Sequence, residues 1–133
     1  MTNNFIRGFL ILVLITFSNI IYSQANLTIE NKSKRTMTVK VMKGYGEGDL
    51  FKTITIEPFG EGVVYFDESG TYFTKTKAVL SGKDPIYRKG DAFQVTNDSR
   101  GYSILTLTFS ITESSVPRAT GGKQISKSEF DKN

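Results

Sequence analysis

The sequence predicts an all-β protein: a single β-sandwich of about seven or eight antiparallel strands, preceded by an N-terminal signal peptide. Apolar and polar residues alternate with a period of two along several segments after residue 25, which is typical of strands with one buried face. No window of this region carries the apolar stripe of an amphipathic helix, which repeats about every 3.6 residues. Turn-forming residues separate the segments at intervals of roughly 8–12 residues, as in a β-sandwich.

Residues 1–25 have the layout of a secretory signal peptide. One cation precedes a predominantly apolar run at 9–17, and the small residues Ser23 and Ala25 follow at its C-terminal end. As a helix, residues 9–22 would reach only about 21 Å, short of the ~30 Å hydrocarbon core, so cleavage is favoured over a membrane anchor. We expect a mature protein of residues 26–133 that is secreted or periplasmic and has no membrane span after cleavage.

The first half of the mature chain carries five expected strands, in the stretches ANLTIEN, RTMTVKVM, FKTITIEP, GVVYF and TYFTKTKAVL. In the second and third stretches, alternate residues share one face that we expect to be buried: Met37, Val39, Val41, Ile54 and Ile56. Between the fourth and fifth, we expect Gly70 to supply the positive φ of a hairpin turn. Lysines within strands, at positions 40, 52, 75 and 77, are interpreted as protection of sheet edges.

The second half adds two short strands and one long strand. PIYRKG and DAFQVTN are separated by the turn at 89–91, and the turn NDSRG precedes the long strand 102–112. The expected buried face of the long strand consists of Leu105, Leu107, Phe109 and Ile111. The strand carries no charge, so a partner can pair with it if it lies at a sheet edge. A central position in the sheet would explain the same lack of charge.

The chain is therefore expected to comprise a signal peptide (1–25), one β-sandwich domain (26–114) and a flexible polar tail (115–133). The tail lacks both alternation and sufficient apolar residues to form part of a core. The strand rhythm resembles that of immunoglobulin-like and other Greek-key sandwich modules. The resemblance implies an architecture and no site, because such folds host many unrelated functions.

The residue inventory excludes several chemistries. The chain has no cysteine and no histidine, which rules out disulfides, zinc sites built on these residues, thiol catalysis and Ser-His-Asp triads. An extracytoplasmic domain without disulfides is more typical of bacteria than of eukaryotes. The net charge is +4 and the lysines form no dense block, so we interpret them as a solvated surface and expect no nucleic-acid partner. Paired carboxylates are the enzyme mechanism left open, but no spacing singles out a pair, so we expect no enzyme.

The stretch KGYGEGDL (43–50) is the most unusual in the chain, with three glycines in five positions. Strands flank it on both sides, so there is no helix N-terminus to hold a phosphate, and neither phosphate-binding fingerprint matches. We expect a mobile hairpin loop. A calcium site with Glu47 and Asp49 as ligands is the alternative, and it requires acids from a second loop to complete the coordination shell.

Four tyrosines near strand ends or loops are candidate ligand-binding residues: Tyr45, Tyr65, Tyr72 and Tyr87. Exposed tyrosines stack on sugar rings and anchor protein interfaces. The alternative is that these rings close the ends of the sandwich with their hydroxyls in water.

These features predict an exported, non-catalytic β-sandwich module with a binding or structural role at the cell envelope or outside the cell. Its expected partner is a protein or a glycan, and its loops are the expected recognition elements. Two alternatives stay open. One is a carbohydrate-binding module, with or without a stabilising calcium ion, and the other is a secreted inhibitor or accessory subunit that acts through an exposed strand edge.

Overall fold

The structure, a computed structural model, describes residues 24–133, so the predicted signal peptide lies outside the described residues apart from Gln24 and Ala25. The described chain is mostly β, as predicted, and its strands form two main sheets and a small two-stranded hairpin. The strands are β1 (Ala25–Lys32), β2 (Thr36–Lys43), β3 (Asp49–Ile56), β4 (Glu61–Phe66), β5 (Gly70–Val79), β6 (Ile86–Lys89), β7 (Phe93–Val95), β8 (Asn97–Asp98), β9 (Gly101–Tyr102), β10 (Ile104–Thr112), β11 (Arg118–Ala119) and β12 (Lys123–Gln124). One helix, α1 (Lys127–Asp131), follows them.

The first sheet has the strand order β11-β10-β1-β4. Its outer pairs, β10 with β11 and β1 with β4, are antiparallel, but β1 and β10 run parallel from Asn26↔Ile104 to Lys32↔Ser110. The sequence predicts antiparallel strands throughout, and this pair departs from that prediction. Strands so far apart in the chain are not constrained by a tight turn, which would impose the antiparallel direction.

The second sheet has the order β12-β6-β5-β2-β3, and β7 also pairs with β5. Its pairs are antiparallel. The hairpin predicted around the glycine-rich stretch is confirmed, because β2 and β3 pair on either side of it up to Lys43↔Asp49. The loop between them is residues 44–48, and all three of its glycines have positive φ. Glycine adopts this conformation without the steric cost that other residues incur.

Both sheets contribute side chains to one buried core. The inward faces predicted for β2 and for the end of β10 are confirmed: Met37, Val39 and Val41 are at most 1% exposed, and Phe109 and Ile111 are buried. From the first sheet, Leu27, Ile29, Val64 and Phe66 join the same cluster. Period-two alternation predicts these positions because a half-buried strand turns every second side chain to the core.

Strand β5 is buried on both faces, which explains why its sequence has no clean apolar face. It lies inside the second sheet, with β2 on one side and β6 and β7 on the other. Tyr72, Thr74, Thr76 and Ala78 alternate with Phe73 and Lys75, and all six are buried. On the face that points away from the core, Phe73 lies against Gly48 of the glycine-rich loop, and Lys75 lies under the C-terminal segment.

The segment expected to be a flexible polar tail contains β11, β12 and α1. Strand β12 pairs with β6, and Ile125 and Phe130 are buried. The Phe130 ring lies 5.6 Å from the Tyr87 ring, and Lys40 Nζ lies 4.5 Å from the centroid of Phe130. The packing of this segment on the second sheet could not be predicted from the sequence, because two apolar residues, Ile125 and Phe130, produce no periodic pattern within a polar segment.

Candidate functional site

The glycine-rich loop is shaped by packing against its own sheet. A side chain at Gly48 would place a Cβ 2.7 Å from the Phe73 ring and 3.0 Å from Lys43 O, so this position admits no larger residue. Gly44 N donates to Thr71 O at 2.8 Å, and Gly46 O accepts from Lys89 Nζ at 2.9 Å. The loop is therefore held by β5 and β6 as well as by its own hairpin.

The predicted calcium ligands Glu47 and Asp49 are not joined by further acids. Glu47 is exposed, and its carboxylate lies 3.7 Å from Lys132 Nζ. Among residues 24–133, no three His, Cys, Asp or Glu side chains lie together as a group that fits a metal ion. The neighbour of Glu47 is thus a cation, which competes with a metal for the same oxygen atoms.

The four candidate tyrosines do not share a surface. Tyr45, in the loop, and Tyr65, on β4 of the first sheet, are 71% and 59% exposed. Tyr72 is 0% exposed and packs against Phe66, with ring centroids 4.7 Å apart, so it offers no surface to a ligand. Tyr72 is buried because it lies on the core face of the interior strand β5. Its position near a turn in the sequence does not predict this burial. Tyr87 is half-buried beneath α1.

Three of the four strand lysines do not lie at a sheet edge, contrary to the prediction. Of the four interpreted as edge protection, Lys52 lies on the edge strand β3, whereas Lys40, Lys75 and Lys77 lie on interior strands. Instead, lysines line up across the second sheet through the pairs Lys40↔Lys75, Lys75↔Lys89 and Lys89↔Lys123. Directly opposed residues point to the same face. Sequence reasoning missed this row because the four positions are far apart in the chain.

The long uncharged strand β10 lies near an edge of the first sheet. Its partner β11 covers only Ile111 and Thr112, and Thr120 forms three further hydrogen bonds with Ser110. Asn26 N, on β1, donates to Ser103 O at 3.0 Å. Because alternate residues of a strand bond to the same neighbour, the odd-numbered residues of β10 direct their backbone groups to β1. Even-numbered residues therefore direct theirs outwards, as Ser110 does.

Three residues of β10 consequently present backbone N–H and C=O groups away from β1: Ile104, Thr106 and Thr108. No strand of the described chain pairs with them on that side. We call this stretch, residues 104–108, the open edge. It is uncharged, and Ile104 is 69% exposed.

A groove of about 300 Å³ runs beside the open edge. Residues 107–109 of β10 line it together with residues 90–93, Gly121 and Gly122. Thr74 also lines the groove; it is buried, and its hydroxyl has no hydrogen-bond partner within residues 24–133. Buried polar groups usually have a partner, so this hydroxyl is a feature that an occupant of the groove would satisfy.

No protein-family model matches the chain, and neither does any curated protein or solved structure. Within the described residues there is no helix with the length and apolar character needed to cross a membrane. The assignment of function therefore depends on the geometry of this chain.

Proposed function

We propose that this protein is an exported, non-catalytic binding module that accepts an extended segment of a partner protein as an added strand along β10. The observation that carries the proposal is the open edge, where no strand within residues 24–133 pairs with the outward-facing backbone groups of Ile104, Thr106 and Thr108. Natural sheets usually cover or charge such an edge, because it is a template for pairing with another chain. Here no strand within residues 24–133 pairs with residues 104–108 on the outer side, and these five residues carry no charge of their own.

The expected ligand is an uncharged peptide with alternating apolar side chains. Residues 104–108 offer about 16 Å of edge, at roughly 3.3 Å per residue, which is enough for a short strand. Backbone hydrogen bonds would supply affinity, and every second side chain of the ligand would enter the groove. Leu107 and Phe93 line that groove, so apolar side chains would fit against them.

The architecture that we infer is a β-sandwich of the immunoglobulin-like type. Both sheets contribute to one core cluster, which supports a face-to-face arrangement. The order of cation, apolar run and small residues in 1–25 supports export to the periplasm or beyond. The carbohydrate-binding alternative receives less support, because it requires a line of exposed tyrosines and the two exposed candidates belong to different elements.

A proline at Thr106 tests the proposal, because it removes the outward N–H while leaving the bonds to β1 in place. Peptides selected from a phage-displayed library against the intact mature protein serve as probes, and fluorescence anisotropy measures their affinity. We expect Thr106→Pro to weaken binding by about tenfold or more. Thr106→Val is the matched control, since it removes the hydroxyl but keeps the N–H, and it should bind like the wild type.

Circular dichroism establishes that both variants are folded before binding is compared. Amide exchange supplies a second readout: the Thr106 amide should exchange rapidly in the free protein and slowly with peptide bound. Peptides that bind Thr106→Pro and the wild type equally well would show that recognition lies elsewhere.

A further inference from the structure

The row of lysines across the second sheet is unusual because like charges oppose each other on adjacent strands. Lys40, Lys75, Lys89 and Lys123 occupy successive strands β2, β5, β6 and β12 in one register. Opposed like charges destabilise a sheet. A row of this kind therefore requires a compensating group on the same face.

Lys75, inside the row, makes no direct ion pair with a carboxylate within residues 24–133. It is 3% exposed, and its ammonium group donates to Glu129 O at 3.0 Å and to Lys132 O. Backbone carbonyls satisfy two of its three donors but carry no net charge, so the ammonium is buried without a counter-ion.

A cavity of about 350 Å³ lies over this part of the row, between the glycine-rich loop and α1. Three lysines (75, 89 and 132), two serines (126 and 128) and two glutamates (47 and 129) line it. Lys89 donates one hydrogen bond, to Gly46 O, which leaves it two further N–H groups. The three lysines and two glutamates thus leave the cavity with one excess positive charge, and Lys89 retains N–H groups that have no acceptor among the described residues.

We propose that this cavity binds a compact oxyanion of the phosphate or sulfate class, held by Lys75 and Lys89 with the serine hydroxyls nearby. Such an anion accepts several charge-assisted hydrogen bonds at once, and lysine is a common partner of phosphate. It would compensate the opposed charges of Lys75 and Lys89 in the way that a carboxylate does elsewhere. This site lies on the second sheet and is independent of the open edge of the first.

The pKa of Lys75 is lowered, which means that its surroundings disfavour the charged ammonium form. Burial lowers the pKa of Lys75, and Lys40 on β2 and Lys89 on β6 lower it further. Glu129 on α1 and Glu47 in the loop act in the opposite direction without reversing the shift. A bound oxyanion would favour the protonated lysine and raise its pKa.

The test measures calorimetric binding and melting of the intact mature protein with sodium phosphate, sulfate and chloride at matched ionic strength. We expect phosphate or sulfate, but not chloride, to bind and to raise the melting temperature. Lys89→Met should weaken that binding by about tenfold or more, because it removes one charge-assisted partner. Lys83→Met, at an exposed lysine outside the cavity, is the matched control and should bind like the wild type.

A second arm distinguishes the source of the oxyanion. Vesicles of phosphatidylglycerol in phosphatidylcholine present the phosphate as a lipid headgroup, and pure phosphatidylcholine vesicles are the reference. Binding to the anionic vesicles that Lys89→Met weakens assigns the site to a headgroup, and binding of the free ion alone assigns it to a soluble anion. A response to phosphate no larger than that to chloride, or one unchanged in Lys89→Met, overturns the proposal.

Discussion

Arg35 and Glu113 form the best-defined buried ion pair in the described chain. The Arg35 side chain is fully buried, and its Nε and Nη2 each donate to a carboxylate oxygen of Glu113 at 3.0 Å. Its Nη1 donates to Ala78 O at 3.2 Å and to Asp84 O at 2.8 Å. Glu113 follows β10 of the first sheet and Ala78 lies on β5 of the second, so this one guanidinium connects the two sheets.

Glu113→Gln should lower the free energy of unfolding by about 3 kcal/mol at pH 7, because it leaves the buried Arg35 without a counter-ion. Urea denaturation measures this loss. Glu61→Gln, at an exposed glutamate on β4, is the control and should change stability by no more than about 0.5 kcal/mol. A similar small effect of Glu113→Gln would mean that the pair contributes little.

The same pair has a pH signature. The hydrogen bond from Arg35 lowers the pKa of Glu113 below its ordinary value, and burial opposes this only in part. The unfolded state therefore binds more protons as the solution is acidified, and the stability contributed by Glu113 is lost as pH falls through the lowered pKa. In Glu113→Gln this carboxylate is absent, so its part of the acid-induced loss of stability should be missing. The free energies of unfolding of the variant and the wild type, measured by urea denaturation at several pH values, should therefore converge at low pH.

At the scale of the element, the C-terminal segment 123–131 is an ordered cover on the second sheet. Phe130 contacts Tyr87 and Lys40, while the Nζ atoms of Lys40 and Lys75 donate to carbonyls at the end of α1. The last carbonyls of a helix have no partners within it, so these lysines act as its C-terminal cap. A helix as short as α1 is unstable alone and depends on this docking.

Phe130→Ala should release the segment without unfolding the sheets, because its contacts are confined to one surface. We expect tryptic cleavage at Lys127 to accelerate by about tenfold or more, given the size of the apolar contact removed. Val116→Ala, at a residue 75% exposed, is the matched control. Unchanged cleavage of Phe130→Ala would show that the lysine–carbonyl bonds alone hold the segment.

At the scale of the whole molecule, the shared core and the Arg35 bridge predict that the two sheets unfold together. Tyr72 lies in that core, so near-ultraviolet circular dichroism reports on tertiary packing, while the far-ultraviolet signal reports on all strands. The two denaturation curves should coincide in a single transition, as small domains usually show. Separate midpoints would mean that the sheets are independent units.

Much of the β architecture was predictable from local pattern. The buried faces containing Met37, Val39 and Val41, and Phe109 and Ile111, follow from alternation alone, and so does the hairpin around the glycine-rich loop. The candidate sites were less predictable. Tyr72 and Lys75 carry side chains typical of a surface, yet both are buried because β5 is covered on both faces.

The sequence by itself determined where strands form and which of their faces are apolar, because a half-buried strand imposes its period of two on neighbouring residues. Only the tertiary structure decided the strand order, the parallel pairing of β1 with β10, the open edge and the alignment of four distant lysines. These features arise from contacts between residues far apart in the chain. No local pattern encodes such contacts, because the register between two strands depends on how the whole core closes.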